Sequence, residues 1–426
     1  MDKNQPPREK IETGPPPLPS GPTPWSLVFL LVGAGVVAAF QVGKAPPLLP
    51  AMRQEFGISL FLAGWILSIF NVIGLFLGSI AGAVADVFGR RRLLLIGFLL
   101  LAVGSLAGSF APGASFLLVT RALEGLGFLF TVVAAPALVA RVTSPRDLRV
   151  SLSIWSCFLP AGVSLVMLLV PLAILRLNWR ELWQVNAVLL VLYALALRRG
   201  TARMARPASG PSGGLGRVWQ DLRLTAASAG PVLLAAIFAT YALQWLCVMG
   251  FLPTLLMEEY GLGAGRASLF TAFMVAMNVP GNLLGGWLLH RGFRRWKLIA
   301  SGSALMGICS LGIYSSALPF GARYLASLAF SLIGGLLPAS ALGGAPLYAP
   351  TPRQLATTNG LIMQGGQFGQ VIGPPLLALL VSLGGGWKSA PWLLAGSAAA
   401  GVFLAFRLAG LEAKRSVPPS SRAAES

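Results

Sequence analysis

Apolar runs of about 20 residues recur along this chain, separated by short polar segments rich in Lys, Arg, Gly and Pro. Each run, as a helix rising 1.5 Å per residue, is long enough to cross a hydrocarbon layer of roughly 30 Å. The pattern predicts helices over 25–50, 60–83, 92–111, 115–141, 149–174, 182–197, 229–256, 266–289, 296–317, 322–347, 357–382 and 391–409. The fold class is therefore an all-α membrane protein with twelve transmembrane helices. Residues 1–24 are rich in Pro, Gly and charge and predict a disordered cytoplasmic tail. The tail carries acids as well as bases, and the apolar run after it is longer than a signal-peptide core, so a cleaved leader is not expected. Residues 198–228 hold Pro207, Pro211 and six arginines and predict a central cytoplasmic linker. It divides an N-terminal six-helix bundle, 25–197, from a C-terminal one, 229–409. A polar cytoplasmic tail, 410–426, follows.

Basic residues orient the chain, because short loops rich in Lys and Arg stay on the cytoplasmic side. With both termini inside, the cytoplasmic segments hold 24 Lys and Arg and the opposite side seven: Lys44, Arg53, Arg176, Arg180, Arg266, Arg323 and Lys388. Arg121 is left inside a helix. The expected location is a bacterial inner membrane.

The two halves repeat. Glu55-Phe56-Gly57-Ile58 returns as Glu259-Tyr260-Gly261-Leu262, and Gly82, Asp86 and Arg90-Arg91 return as Gly286, His290 and Arg294-Arg295, both at an offset of 204. Pro145-Arg146-Asp147-Leu148 matches Pro352-Arg353-Gln354-Leu355 at 207, and Trp179-Arg180 matches Trp387-Lys388 at 208. Four matches in order, at equivalent loops, indicate two homologous bundles. Each has an even number of crossings, so the copies point the same way, as a parallel pseudo-two-fold repeat.

Residues 78–95, GSIAGAVADVFGRRRLLL, join two helices through a short basic turn. The spacing of Gly82, Asp86, Gly89, Arg90 and Arg91 resembles the loop 2–3 signature of the major facilitator superfamily of secondary transporters. Arg121-Ala-Leu-Glu124-Gly125-Leu-Gly127 is similar to the helix 4 pattern of that family. The resemblance covers about 25–410 and implies the family fold, a cytoplasmic gate at Asp86 and Arg90, and a cavity lined by helices 1, 2, 4, 5, 7, 8, 10 and 11. An anion at Asp86 can lie against the N-terminus of helix 11, near Thr357 and Thr358. The second-half equivalents are Gly286, His290 and Arg294; His290 supplies no fixed negative charge. Helix 5 reads Ile154-Trp-Ser-Cys-Phe-Leu-Pro160-Ala-Gly162 and lacks the glycine-proline signature of many drug:proton antiporters. Helix 1 and the Trp-Arg after helix 5 resemble the cyanate-permease-like branch, without the arginine often seen in that branch's first helix.

Composition agrees with a polytopic membrane protein: 55% of residues are hydrophobic, 11% charged, and the mean hydropathy is +0.75. A net charge of +19 raises nucleic acid as a partner. Most of that charge sits in short loops between apolar runs, so a lipid bilayer is the partner expected and nucleic acid is not. Cys157, Cys247 and Cys309 lie singly within apolar segments and offer neither metal spacing nor a disulfide framework. Gly33-Ala-Gly35-Val-Val-Ala38 matches a dinucleotide fingerprint only loosely and has no strand before it. No metal or nucleophile constellation is present, so no enzyme is expected.

Ionisable groups inside a membrane are expensive and mark function by default. Lys44, Arg121 and Glu124 are three such groups, with Lys44 and Arg121 roughly 9 Å below the same surface by helical rise. Glu124 lies one turn from Arg121. The matching positions of helix 10 are Ala329 and Leu332, so the cluster has no second-half counterpart. It either binds an anionic group and couples to a proton through Glu124, or is a structural pair with Lys44 reaching outward. Candidate cavity residues are Gln41, Trp155, Tyr241, Gln244, Trp245, Asn278, Asn282, Gln364 and Gln367. Gly74, Gly78 and Gly82 line one face of helix 2 and suit close packing.

The reading is a proton-linked secondary transporter of a small organic solute, an anion such as a carboxylate. It works as a monomer by alternating access, draws on a proton gradient and holds no cofactor. An exporter of apolar or cationic compounds and a non-transporting sensor or assembly protein are the alternatives. The absence of an ATP-binding domain places the energy source in ion gradients.

Overall fold

The computed structural model describes residues 21–204 and 215–416, apart from 79, 82–84, 86 and 87. Among the described residues there are helices and no strands. Eleven helices among the described residues are long and apolar enough to cross a membrane, and a bent pair taken as one span makes twelve. Spans 1–6 are Trp25–Phe56, Leu60–Leu77, Arg90–Ser109, Ala114–Val142, the pair Leu148–Ser156 and Phe158–Ala173, and Trp179–Gly200. Spans 7–12 are Ala229–Tyr260, Ala264–His290, Arg295–Ile313, Phe320–Tyr348, Leu355–Leu383 and Trp387–Ala413. With twelve spans the described chain begins and ends on one face, here the near face; the opposite one is the far face.

Prolines explain where spans break. A proline has no N–H for the carbonyl four residues earlier and clashes with it. Helices end at Ser156, Ala276 and Gly334, each four residues before Pro160, Pro280 and Pro338. Span 5 bends by 44° at its break. Span 1 stops at Gly43, passes through a turn at Pro46–Leu48 and resumes as Leu49–Phe56, so it runs six residues past the expected boundary. Pro136, Pro171, Pro253, Pro374 and Pro375 stay inside continuous helix. Span 6 starts at a capping box, with Asn178 and Glu181 each accepting from the other's backbone N–H. Two further boundaries differ from expectation: the segment between the halves contains a helix at Leu215–Ala226, and the last helix continues to Ser416.

The repeat is visible in the backbone. Gly57 and Gly261 end spans 1 and 7 in the same left-handed conformation, with φ of 62° and 61°. On the near face Ser144 bonds Asp147 while Thr351 bonds Gln354, at matching places in the two halves. Thr23, just before span 1, donates to Asp147 at 2.6 Å. Asp221, in the helix before span 7, accepts from Gln354 at 3.0 Å.

The buried apolar core joins the halves on the far side, and spans 2 and 11 meet along a seam that reaches Leu75 and Gln364. A single apolar core on the far side takes residues from both, among them Leu49, Met52 and Met167 from the first and Phe251, Met274 and Leu377 from the second. On the near side the core splits, with Leu31, Phe98 and Leu138 in the first half and Leu234, Ile299 and Leu408 in the second. Ser164 donates to Ala272 O and Ser268 to Met167 O, tying the far parts of spans 5 and 8 together.

Candidate functional site

Span 1 ends its first helix at Gly43 because Pro46 and Pro47 follow. Lys44 is the cap of that helix and is fully buried in the first half. Its ammonium group donates to Gln41 Oε1 at 2.6 Å, Ser105 Oγ at 2.8 Å and Glu124 Oε1 at 2.7 Å. Three donors meet three acceptors, and the Trp183 ring lies 4.2 Å from Nζ. The outward-reaching reading of Lys44 is thereby corrected: the backbone break turns it inward, where every proton is used.

Glu124 offers its second oxygen to Arg121 Nη1 at 2.5 Å. Arg121 also donates from Nη1 to Gln41 O at 2.8 Å and from Nε to Ile66 O at 3.3 Å. Its Nη2 has no hydrogen-bond partner among the described residues. Gln41 closes the network through Nε2 to Asn186 Oδ1 at 2.7 Å. Lys44 and Glu124 are 0% exposed and Arg121 is 1% exposed. Two basic side chains thus share one buried carboxylate.

Rings continue from this cluster. The Arg121 guanidinium lies 4.7 Å from the Phe70 ring, Phe70 is 5.2 Å from Phe128, and Phe128 is 6.3 Å from Phe158. Phe158 stacks on Trp155 at 4.5 Å, beside the break in span 5. An apolar wall therefore runs from a cation to the bend.

The structure brings Lys44, Arg121, Glu124 and Gln41 into one network and separates the other candidates from it. Gln41 holds the cluster together rather than standing apart from it. Tyr241, Asn278 and Asn282 form a second-half chain: Asn278 Nδ2 donates to Tyr241 Oη at 3.2 Å and to Ser331 O, and Asn282 Nδ2 to Asn278 Oδ1 at 2.8 Å. Gln244 is buried and bonds Thr240 O, while its Oε1 and the Trp245 Nε1 have no partner among the described residues. Gln364 and Gln367 sit in the seam between spans 2 and 11. They fill the space that Gly78 and Gly74 leave open, and Gln364 Nε2 donates to Leu75 O at 3.0 Å.

Of the gate residues, Gly82 and Asp86 lie outside the described residues. Gly89 turns the chain with φ of 83°, matched by Gly292 at 86°. Arg90 begins span 3. Arg91 donates to Thr201 Oγ1 and Arg198 O, so it caps the end of span 6. Its repeat partner Arg295 grips Ser340 O and Gly343 O in span 10. Gly286 has open space around it, and His290 and Arg294 are exposed.

Sequence reasoning missed Ser105 and Asn186, lone polar residues in apolar spans. Arg323, counted only as a far-side charge at the start of the helix expected over 322–347, is a buried helix residue that donates to Ile313 O at 2.7 Å and pairs with Glu259 at 2.6 Å.

The model of the Major Facilitator Superfamily matches residues 31–363 and 234–425. An inferred niacin/nicotinamide transporter of Bacillus subtilis (strain 168) is 25% identical over 355 residues, covering 81% of this chain and 85% of that protein. The gallate transporter of Pseudomonas putida is 28% identical over 409 residues, covering 84% and 85%. The 3-(3-hydroxy-phenyl)propionate transporter of Escherichia coli (strain K12) is 28% identical over 371 residues, covering 84% and 88%. Among solved structures, a bacterial homolog of the human lysosomal transporter Spinster, inward-facing and unoccupied, superposes with a TM-score of 0.74 at 15% identity, covering 91% of this chain and 95% of that one. A D-xylose-proton symporter gives 0.71 at 15% identity, covering 90% and 96%. At such identities these two bear on fold alone.

Proposed function

The chain belongs to the Major Facilitator Superfamily of membrane transporters, which are not enzymes, and from that premise we propose that it is a proton-linked carrier of a small aromatic carboxylate. The observation that carries this reading is the buried Lys44–Glu124–Arg121 cluster, in which two basic side chains meet a single carboxylate. A buried charge without a counter-charge is costly, and an anion beside it removes the cost. Arg121 Nη2 is the donor still without a partner, and a guanidinium edge suits a carboxylate.

Coupling follows from the charge count. While Glu124 is ionised it compensates one cation. When it takes up a proton, Lys44 and Arg121 are left with no anion, and the site then favours an anionic ligand more strongly. By linkage, a bound carboxylate favours the protonated state equally. Proton and anion therefore travel together, in symport, as the halves rock about the site. The core joined on the far side and split on the near side fits a carrier open to the near face. The Lys and Arg asymmetry supports reading that face as cytoplasmic, in a bacterial inner membrane, and the chain as a monomeric carrier without a cofactor.

The rings from Phe70 to Trp155 supply a surface for stacking an aromatic substrate. Niacin, gallate and 3-(3-hydroxyphenyl)propionate, named for three relatives, each join an aromatic ring to one carboxylate. A second reading, export of apolar or cationic drugs, draws on the puromycin resistance protein of Streptomyces alboniger, 30% identical over 200 residues but covering 44% of this chain and 39% of that protein. A site with two basic side chains and one carboxylate disfavours a cation, which weighs against it.

The test is uptake into proteoliposomes under an imposed pH gradient, with niacin, gallate, 3-(3-hydroxyphenyl)propionate and, as a cationic control, puromycin. An aromatic carboxylate accumulates in the wild type. Glu124→Gln loses accumulation and keeps exchange, and Arg121→Ala loses both. Normal transport by both variants would make the cluster structural.

A further inference from the structure

The far face carries two related acid–tryptophan contacts, and they differ in one respect. At the end of span 1, Glu55 accepts from Trp179 Nε1 and from Arg180, with Arg180 Nη2 at 2.6 Å from its carboxylate. All three residues belong to the first half. At the end of span 7, Glu258 Oε2 accepts from Trp387 Nε1 at 2.9 Å, which repeats the Trp179 contact. Its other oxygen, however, faces Arg53 Nη1 of the first half at 2.9 Å. Lys388, the repeat counterpart of Arg180, makes no ion pair with Glu258.

A doubled acid makes this possible. Glu259 pairs with Arg323, which also holds the end of span 9 through Ile313 O, a task parallel to the hold of Arg180 on Ser109 O and Ala111 O. Glu258 is left to the tryptophan and to the opposite half. Arg53 and Glu258 are therefore a direct charge link between the halves, at the face where their cores are joined.

We infer that Glu258 is a partner-exchanging bolt: it binds Arg53 while the far face is shut and passes to Lys388 of its own half when the far face opens, with Trp387 holding the carboxylate in both states. The first half shows the second geometry already, since Glu55 is held by the Trp-Arg pair of its own half. Exchange matters because a broken ion pair would leave Glu258 without a cation as the face opens. A second cation within the same half lowers that cost and keeps the two states close in free energy, as a cycling carrier requires. The pair is half-exposed, so its effect is modest: removing one charge shifts the state ratio about two- to fivefold. The inference rests on the rocking motion proposed above, and its test separates the two.

Cysteines at Ser115 and Ser316, exposed far-face positions in opposite halves, carry nitroxide labels in a background with Cys157, Cys247 and Cys309 replaced. Pulsed electron spin resonance on the full chain in nanodiscs reads the distance distribution between them. Arg53→Gln raises the longer-distance population about two- to fivefold. Lys388→Gln lowers it by a similar factor, since it weakens only the open state. The exchange Arg53→Glu with Glu258→Arg restores the shut population that Arg53→Gln loses. Two populations in the wild type that Arg53→Gln leaves unchanged would overturn the bolt, and an unchanged ratio in Lys388→Gln would overturn the handover. A single distance in every variant, at every pH and with each carboxylate, would instead overturn the rocking motion.

Discussion

Lys44 Nζ and Glu124 Oε1 lie 2.7 Å apart with neither side chain reached by solvent, and they come from the first and fourth of the twelve spans. The pair is one side of a three-charge group, because Arg121 holds the other oxygen of Glu124. What each substitution leaves behind decides its cost. Lys44→Met leaves Arg121 facing Glu124, a neutral pair. Glu124→Leu leaves two buried cations with no anion, and stranding a buried charge costs about 3–5 kcal/mol. Glu124→Leu should therefore melt well below Lys44→Met in detergent. Equal melting temperatures would mean that packing, not charge, dominates the cluster.

Close backbone approach sets a second expectation. A Cβ at Gly125 of span 4 would overlap the Phe70 carbonyl oxygen of span 2, and one at Gly281 of span 8 would overlap the Leu332 carbonyl oxygen of span 10. Backbone cannot rotate aside as a side chain can, so the two helices must separate. Gly125→Ala and Gly281→Ala should lower the yield of folded protein in size-exclusion chromatography. Gly286→Ala, where nothing lies within 4 Å, should elute as the wild type does. A normal profile for Gly125→Ala would show that spans 2 and 4 are not packed this closely.

Much of this was legible in the sequence, for a physical reason. Charge inside an apolar run is so unfavourable that Lys44, Arg121 and Glu124 stood out without any coordinates. Ser105 and Asn186 did not, because hydroxyls and amides are tolerated in membrane helices for many local reasons. Gln364 and Gln367 read as cavity residues since sequence gives the polarity of a helix face but not its neighbour. The neighbour proves to be the Gly74–Gly78 groove of span 2. Arg323 read only as a far-side charge because it sits at a span end, and its pairing with Glu259 depends on three-dimensional contact.

Asp147 gives a pH-dependent expectation on the near face, outside the spans. The Thr23 hydroxyl holds its carboxyl below the usual range; desolvation works the other way, and Ser144 and Arg146 add to the lowering. A carboxyl held low contributes stability above its unfolded value, about 3.9, and loses that contribution as the pH falls through the lower folded value. Thr23→Val should move that loss to higher pH. Hydrogen exchange of the segment around 144–151, corrected for intrinsic rates, reads it. If protection fades at the same pH in both proteins, the Thr23 contact does not set the Asp147 titration.

Arg121 is the residue at which a conservative change should fail. Its Nη1 serves Glu124 and Gln41 O while Nε reaches Ile66 O, so three acceptors on three spans fix the guanidinium plane and leave Nη2 to a ligand. A lysine has one nitrogen on a flexible stem and cannot reach all of these at once. Arg121→Lys keeps the positive charge, so the charge balance with Lys44 and Glu124 survives and the protein should still fold. Carboxylate binding should weaken by about tenfold or more, the share of a charge-assisted hydrogen bond worth roughly 1.5–3 kcal/mol. Isothermal titration of the purified protein with gallate or niacin measures this directly. Affinity retained in Arg121→Lys would show that only the charge matters at this position, and that the carboxylate is not read by the fork of the guanidinium.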